Sequence, residues 1–212
     1  MLQDQTRETG PARPETVAIM ASLGRLVRQA HPVLRLGIIV QAHDAEAPLA
    51  IAHACGAHFV RLKVFVAAAM TAEGPRTGLA VPAQAARHAL QRPDIAILAD
   101  VFDRTSVPMA DIAPAEAARW AEQLSADVLV LTGGSFAGTL SRIAAARAAG
   151  VRRPVLVGGS VTADNVADAL RHADGAIVST SLMLDSPGSG LLRWDAGKAM
   201  ALMDRVRGAA HG

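Results

Sequence analysis

Short β-branched runs alternate with longer alanine-rich stretches along most of the chain. Residues 36–40, 59–66, 95–101, 127–132, 154–158 and 175–180 read as strands. Most are continuously apolar rather than alternating, the pattern of parallel strands covered on both faces. Between them, residues 47–55, 82–90, 114–124, 138–148 and 163–171 read as helices. Pro114 with Glu116 and Thr162 with Asp164 mark helix starts, while Gly56, Gly150 and Gly175 stand where helices should stop. Residues 17–29 add a helix at the front, and residues 195–207 close the chain on an apolar stripe of Met200, Leu202, Met203 and Val206. A repeated βα order requires right-handed crossovers and a parallel sheet, either open and doubly wound or curled into a barrel. No composition shift divides residues 1–212, so a single domain is expected, with 1–14 a flexible N-terminal tail.

The run at 59–66 decides between the two sheets. Alternation puts Val60, Leu62, Val64 and Val66 on one face and Phe59, Arg61, Lys63 and Phe65 on the other. An open sheet would press both cations against apolar helices, whereas a barrel interior near its ligand end can hold them beside anions. The expected fold is therefore an α/β protein of the TIM-type (β/α) barrel class. About six βα units are visible where a standard barrel has eight, so the barrel is expected to be incomplete.

Composition narrows the class of partner. The 212 residues are 51% hydrophobic and 19% charged, enough apolar material for one core. Lys and Arg number 21 against 19 Asp and Glu, a net charge of +2 that forms no dominant basic patch. Aromatics make up 3%, too few for the stacking platforms of single-strand binders, so no nucleic-acid partner is expected. Cys55 is the only cysteine, which excludes an intrachain disulfide and a thiolate cage and points to a cytoplasmic setting. No apolar run approaches the ~18 residues of a membrane span, and the first residues lack a signal-peptide pattern.

In such folds ligands bind beyond the C-terminal ends of the strands. Three loops stand there: Thr132-Gly133-Gly134-Ser135, Gly158-Gly159-Ser160 and Ser179-Thr180-Ser181. Glycine lets the backbone approach an anion, and successive N–H groups supply donors to phosphate oxygens. The last two loops fall where barrels commonly hold phosphate; the competing reading is tight turns with ordinary capping Ser and Thr. Asp100, at the end of its strand, is a candidate general base, or equally an ion-pair partner that makes Arg61 or Lys63 tolerable inside a barrel. Lys63 is a candidate phosphate or enolate partner or an amine nucleophile. Arg61, Lys63 and Asp100 are thus the catalytic candidates. His43 lies just past a strand, with Asp44 beside it to orient it or to cap the next helix, and Cys55 reads as a small buried residue. No metal-ligand spacing and no nucleophile elbow occurs, so neither metal nor cofactor is expected.

The stretches 49–65, 97–101, 131–138, 155–166 and 177–182 resemble the BtpA family, also represented by SgcQ-type proteins. Arg61, Asp100, Thr132, Gly133, Gly138, Gly158, Thr162, Asn165, Thr180 and Ser181 match that family's pattern. The resemblance implies a barrel similar to the ribulose-phosphate-binding barrels. It also implies a family linked to photosystem I biogenesis in cyanobacteria and to sugar or nucleoside metabolism elsewhere. His43, Lys63, Arg104-Thr105, Ser179 and Met183-Leu184 depart from it, and its first two βα units have no counterpart. Such losses imply altered or lost catalysis and a surviving anion site, because backbone groups supply the latter. A shortened sheet also leaves unpaired edges, which a homo-oligomer would cover. Two functions follow. One is a barrel binding a phosphorylated sugar or nucleoside-like molecule, with isomerase, lyase or nucleosidase-like chemistry if it turns over. The other is a non-catalytic assembly or accessory protein, for which a collapsed pocket and an apolar edge are expected.

Overall fold

The computed structural model describes residues 1–6, 9–184 and 193–209. In chain order its elements are β1 (Leu2–Gln3), α1 (Pro14–Ala30), β2 (Gly37–Ile39), α2 (Glu46–Cys55), β3 (Phe59–Leu62), β4 (Ala68–Thr71), β5 (Gly74–Thr77), α3 (Ala80–Ala89), β6 (Ala96–Phe102), β7 (Ser106–Pro108), α4 (Pro114–Gln123), β8 (Val128–Leu131), α5 (Phe136–Ala148), β9 (Val155–Val157), α6 (Val166–His172), β10 (Gly175–Ala176) and α7 (Ala196–Ala209). A single 3-10 turn, Thr180–Leu182, follows β10. Seven strands form one parallel sheet in the order β1-β2-β3-β6-β8-β9-β10. Each strand neighbours the next parallel strand in the chain, as in a (β/α) barrel, and no ladder joins β10 to β1 among the described residues. The barrel is incomplete.

One strand more than expected is present. Leu2 and Gln3 pair with Ile38 and Ile39, so the segment read as a free tail begins inside the sheet. Two carboxylates pin it further. Asp4 accepts the Gln41 N–H at 2.7 Å, and Asp44 accepts the Ala12 N–H at 3.0 Å. Two residues are too short to show periodicity, and their pairing partner lies far along the chain.

The helices lie on one face of the sheet. Ile38, Val60, Leu62, Ile97, Ala99, Leu129, Leu131, Val155 and Val157 form the core against them, all nearly or fully buried. The alternate positions, Ile39, Arg61, Leu98, Asp100 and Val130, face the barrel interior. This explains the continuously apolar strands and the two charges within them. Gly37 carries no side chain because the Phe59 ring occupies that space; a Cβ there would lie 2.0 Å from it.

The N-terminal ends of the strands are tied by a repeated device. A polar residue just before a strand accepts an N–H at or next to the start of the neighbouring strand: His58 Nδ1 from Leu36, Asp127 from Ile97 and Asp174 from Val155. Arg87 on α3 pairs with Asp127 at 2.6 Å, and Arg147 on α5 pairs with Asp174. These groups satisfy edge donors that otherwise would be left bare.

The opposite end carries what the hydrophobic pattern did not reveal. Residues 59–66 do not continue as one strand: β3 stops at Leu62, and Val64 takes φ +49° as the chain turns out. A hairpin, β4 and β5, follows, and β7 from the loop after β6 pairs with β4. This small antiparallel sheet stands on the C-terminal ends of the main strands.

Candidate functional site

β3 and β6 are adjacent, with Arg61 beside Leu98 in register, so Arg61 and Asp100 meet inside the barrel. Arg61 Nε donates to both Asp100 oxygens at 3.2 and 3.0 Å, and Nη2 donates to Oδ1 at 2.9 Å. Asp100 is 1% exposed. Burial pushes its carboxyl pKa up, against the opposing pull of Arg61. The guanidinium lies between this carboxylate and the open end of the barrel, so Asp100 shapes Arg61 and does not line the cavity above it.

That cavity has a volume of about 420 Å³. Its wall gathers Arg61, Lys63, Thr132, Gly158, Gly159, Ser160, Ser179, Thr180 and Ser181 from four separate strand ends. Of the expected site residues, only Asp100 and Gly133 stand outside it. The Gly133 N–H is already given to Thr139 Oγ1 at 2.8 Å, and a Cβ at Gly133 would strike the Gly138 and Thr139 backbone at 2.6 Å. Close packing of α5, rather than an open anion cradle, requires this glycine.

The loop after β9 is built differently. The Gly158 N–H still donates to Leu131 O at 2.8 Å as an extension of the sheet. Gly158 lacks a side chain because Thr132 Oγ1 lies 1.9 Å from where its Cβ would be. Ser160 then adopts φ +59°, a region that non-glycine residues rarely enter. Asn165 holds that turn from both sides, donating to Ser160 O at 2.9 Å and accepting the Thr162 N–H at 2.8 Å. Ser181 Oγ donates to Val161 O at 2.7 Å and ties the last loop to it. Among the described residues the N–H groups of Gly159 and Ser160 have no protein acceptor. Arg104 lies over them, with Nη1 3.4 Å from Ser160 Oγ.

A second cavity of about 350 Å³ adjoins the first beneath the small sheet and shares Gln3, Gln41, Lys63, Asp103 and Thr105 with it. Gln41 is fixed at every polar group that bonds within the chain. Asp4 takes its N–H, Arg76 Nη1 donates to its carbonyl at 3.3 Å, and Lys63 Nζ donates to its Oε1 at 2.9 Å. Lys63 Nζ also lies 4.0 Å from Asp103. Gln41, Arg76, Asp103 and Arg104 were not singled out as site residues in the sequence. Gln41, Asp103 and Arg104 directly follow strand ends, a positional signal that was available. Arg76 sits in a hairpin that the apolar pattern does not mark.

His43 and Asp44 divide as the sequence suggests. Asp44 Oδ1 accepts the Glu46 and Ala47 N–H groups at 2.8 and 3.0 Å and starts α2. Both ring nitrogens of His43 are buried without a hydrogen bond of ordinary geometry. Burial and then Arg76 lower its pKa, while the nearby Thr77 backbone and Asp44 raise it less. Cys55 is buried, and burial raises its thiol pKa, the state of an inert core residue. Among the described residues no group of three His, Cys, Asp or Glu could hold a metal ion, and no helix is long and apolar enough to cross a membrane.

Sequential parallel strands with a polar cavity at their C-terminal ends define a (β/α)-barrel protein whose ring is incomplete. The chain belongs to the BtpA family, whose model matches residues 6–208. An uncharacterized protein of Archaeoglobus fulgidus is 33% identical over 168 residues, covering 78% of this chain and 66% of that one. The photosystem I biogenesis protein BtpA of Synechocystis is 32% identical over 153 residues, covering 71% of this chain and 53% of that one. The chain thus spans between about half and two thirds of these relatives' length. Among solved structures, N-(5'-phosphoribosyl)anthranilate isomerase from Pyrococcus furiosus superimposes with a TM-score of 0.56 at 15% identity, over 89% of this chain and 80% of that one. KGPDC from Streptococcus mutans gives 0.57 at 12% identity, over 94% and 85%. Both share the fold.

Proposed function

We propose that the protein binds a phosphorylated sugar or nucleoside-like small molecule, with the phosphate at Gly159, Ser160, Ser179 and Thr180 under Arg104. The observation that carries this reading is the loop after β9. Two adjacent N–H groups with no acceptor among the described residues, a turn held by Asn165 and a guanidinium above them supply both the donors and the charge that a phosphate needs. Arg61 and Lys63 face the same cavity, each beside a carboxylate of its own, Asp100 and Asp103.

Binding, not a defined turnover, is the extent of the proposal. Asp100, read as a candidate base or equally as an ion-pair partner, is bonded to Arg61 and does not line the cavity, where Lys63 and Asp103 stand, with Glu73 in the adjoining one. Open polar cavities favour this function over a purely structural role, for which a collapsed pocket was expected. One relative is named for photosystem I biogenesis; the cavity supports no such assignment here. We also infer that the open sheet edges are covered by a second copy of the chain, with the exposed α1 side chains Ile19, Leu23 and Leu26 as the apolar surface it would use.

The phosphate reading is tested by thermal denaturation with inorganic phosphate, since a molecule bound only by the native state raises the midpoint. Wild type should shift upward with phosphate concentration. Arg104→Ala should shift less, and Gly159→Asp, which places a carboxylate against Arg104, should not shift. Equal shifts in all three proteins would sink the assignment.

A further inference from the structure

We propose that the second cavity is a binding subsite for the uncharged, polyhydroxylated body of a sugar monophosphate, and that Gln41 is its specificity-determining residue. The proposal rests on the phosphate reading above and narrows its ligand class.

Three observations carry it. The two cavities adjoin, with Gln3, Gln41, Lys63, Asp103 and Thr105 lining both, and the proposal places one molecule anchored at Gly159 across that boundary. Their electrostatics differ. In the second cavity Lys63 and Arg76 are balanced by Asp103 and Glu73, with Lys63 4.0 Å from Asp103 and Arg76 3.6 Å from Glu73. A second phosphate would meet two cations already matched by carboxylates, and it would have to displace those contacts. A neutral body carries no such penalty.

Among the described residues the lining contains no aromatic side chain, and its apolar members are confined to Val64 and Ala72. A nucleobase would therefore find no ring to stack on. Hydroxyl groups find donors in the Gln41 amide and acceptors in the Asp103 and Glu73 carboxylates, while the Thr71 and Thr105 hydroxyls, which already donate to Gly74 O and Asp103 Oδ1, offer acceptor lone pairs.

Gln41 stands at the junction, and its orientation is dictated. An ammonium group only donates, so the contact from Lys63 Nζ at 2.9 Å requires the carbonyl end of the amide to face Lys63. The amide NH2 then points away from Lys63 with two donors for ligand hydroxyl oxygens. Its backbone is held by Asp4 and Arg76, so the side chain presents these donors from a fixed base. Such prepaid positioning is what allows a hydrogen bond to discriminate between ligands.

The test is titration calorimetry of the full chain with inorganic phosphate, ribose 5-phosphate, ribulose 1,5-bisphosphate and adenosine 5'-monophosphate. Ribose 5-phosphate should bind at least about tenfold tighter than inorganic phosphate, and neither the bisphosphate nor the nucleotide should improve on it. In Gln41→Ala the ratio of ribose 5-phosphate to phosphate affinity should fall by about tenfold, the worth of one well-placed hydrogen bond. A ratio near one in wild type, a ratio unchanged by Gln41→Ala, or tighter binding of the bisphosphate or the nucleotide would overturn the subsite while leaving the phosphate site standing. Failure of phosphate and every phosphate ester to bind would overturn the phosphate reading itself, and the subsite with it. Should Gln41→Ala fail to give the wild-type circular dichroism spectrum, the four-ligand series on wild type decides alone.

Discussion

Asp100 is accommodated inside the sheet because Arg61 reaches it from the adjacent strand with three N–H contacts. The pair satisfies itself and fixes the guanidinium at the floor of the cavity. Removing Arg61 leaves the buried Asp100 unmatched, so Arg61→Ala should cost about 3–5 kcal/mol in urea denaturation. Replacing both, as Arg61→Met with Asp100→Leu, should recover most of that loss; a double variant as unstable as the single one would refute the pairing account. His43 makes a prediction about pH. Its pKa is lowered in the fold, chiefly by burial, so the unfolded chain takes up the proton first as pH falls. The stability it contributes is full above the ordinary histidine pKa and is lost as pH drops below it, from about pH 6.5. The melting temperature of wild type should therefore fall more steeply with acidification than that of His43→Gln, and parallel slopes would remove His43 from the account.

At the scale of elements, close contact between helices is set by small residues. Gly24 on α1 faces Cys55 on α2, and a Cβ at Gly24 would lie 2.7 Å from the Cys55 sulfur. Neither residue has a chemical role in the proposed site, yet both set how near the helices lie. Gly24→Leu should destabilise the fold by about 1–3 kcal/mol, read by urea denaturation, and combination with Cys55→Ala should return part of it. A Gly24→Leu variant as stable as wild type would show that α1 moves freely on α2. The helices and main strands were legible because their apolar faces repeat over several residues: β6 and β8 fall within residues 95–101 and 127–132 to within a residue at each end. The β4-β5 hairpin was not, because Ala68–Thr71 and Gly74–Thr77 hold a single large apolar residue, the exposed Met70, and take their place by pairing with each other and, through β4, with β7.

For the molecule as a whole, the open sheet is the governing feature. β1 and β10 are edges of two paired residues each, and their outer N–H and C=O groups face no strand among the described residues. Light scattering at micromolar concentration should give a mass above that of one chain, and Ile19→Lys with Leu26→Glu should reduce it. A wild-type protein that is a monomer there would end the idea of a covering copy.

The sequence by itself determined the sheet class, the strand order and the loops that meet above it, because the apolar runs, helix stops and glycine pairs act over short spans of chain. It also placed Arg61, Lys63, Thr132, Gly158, Gly159, Ser160, Ser179, Thr180 and Ser181 at strand ends, where the cavity is found. Only the tertiary structure decided what each group has left to offer. The Gly133 N–H is consumed by Thr139, the Asp100 carboxylate by Arg61, and Gln41 becomes a junction because Asp4, Lys63 and Arg76 converge on it from 37, 22 and 35 residues away. Local pattern shows which residues reach an end of the sheet; the hydrogen bonds that remain free there depend on partners that only folding brings together.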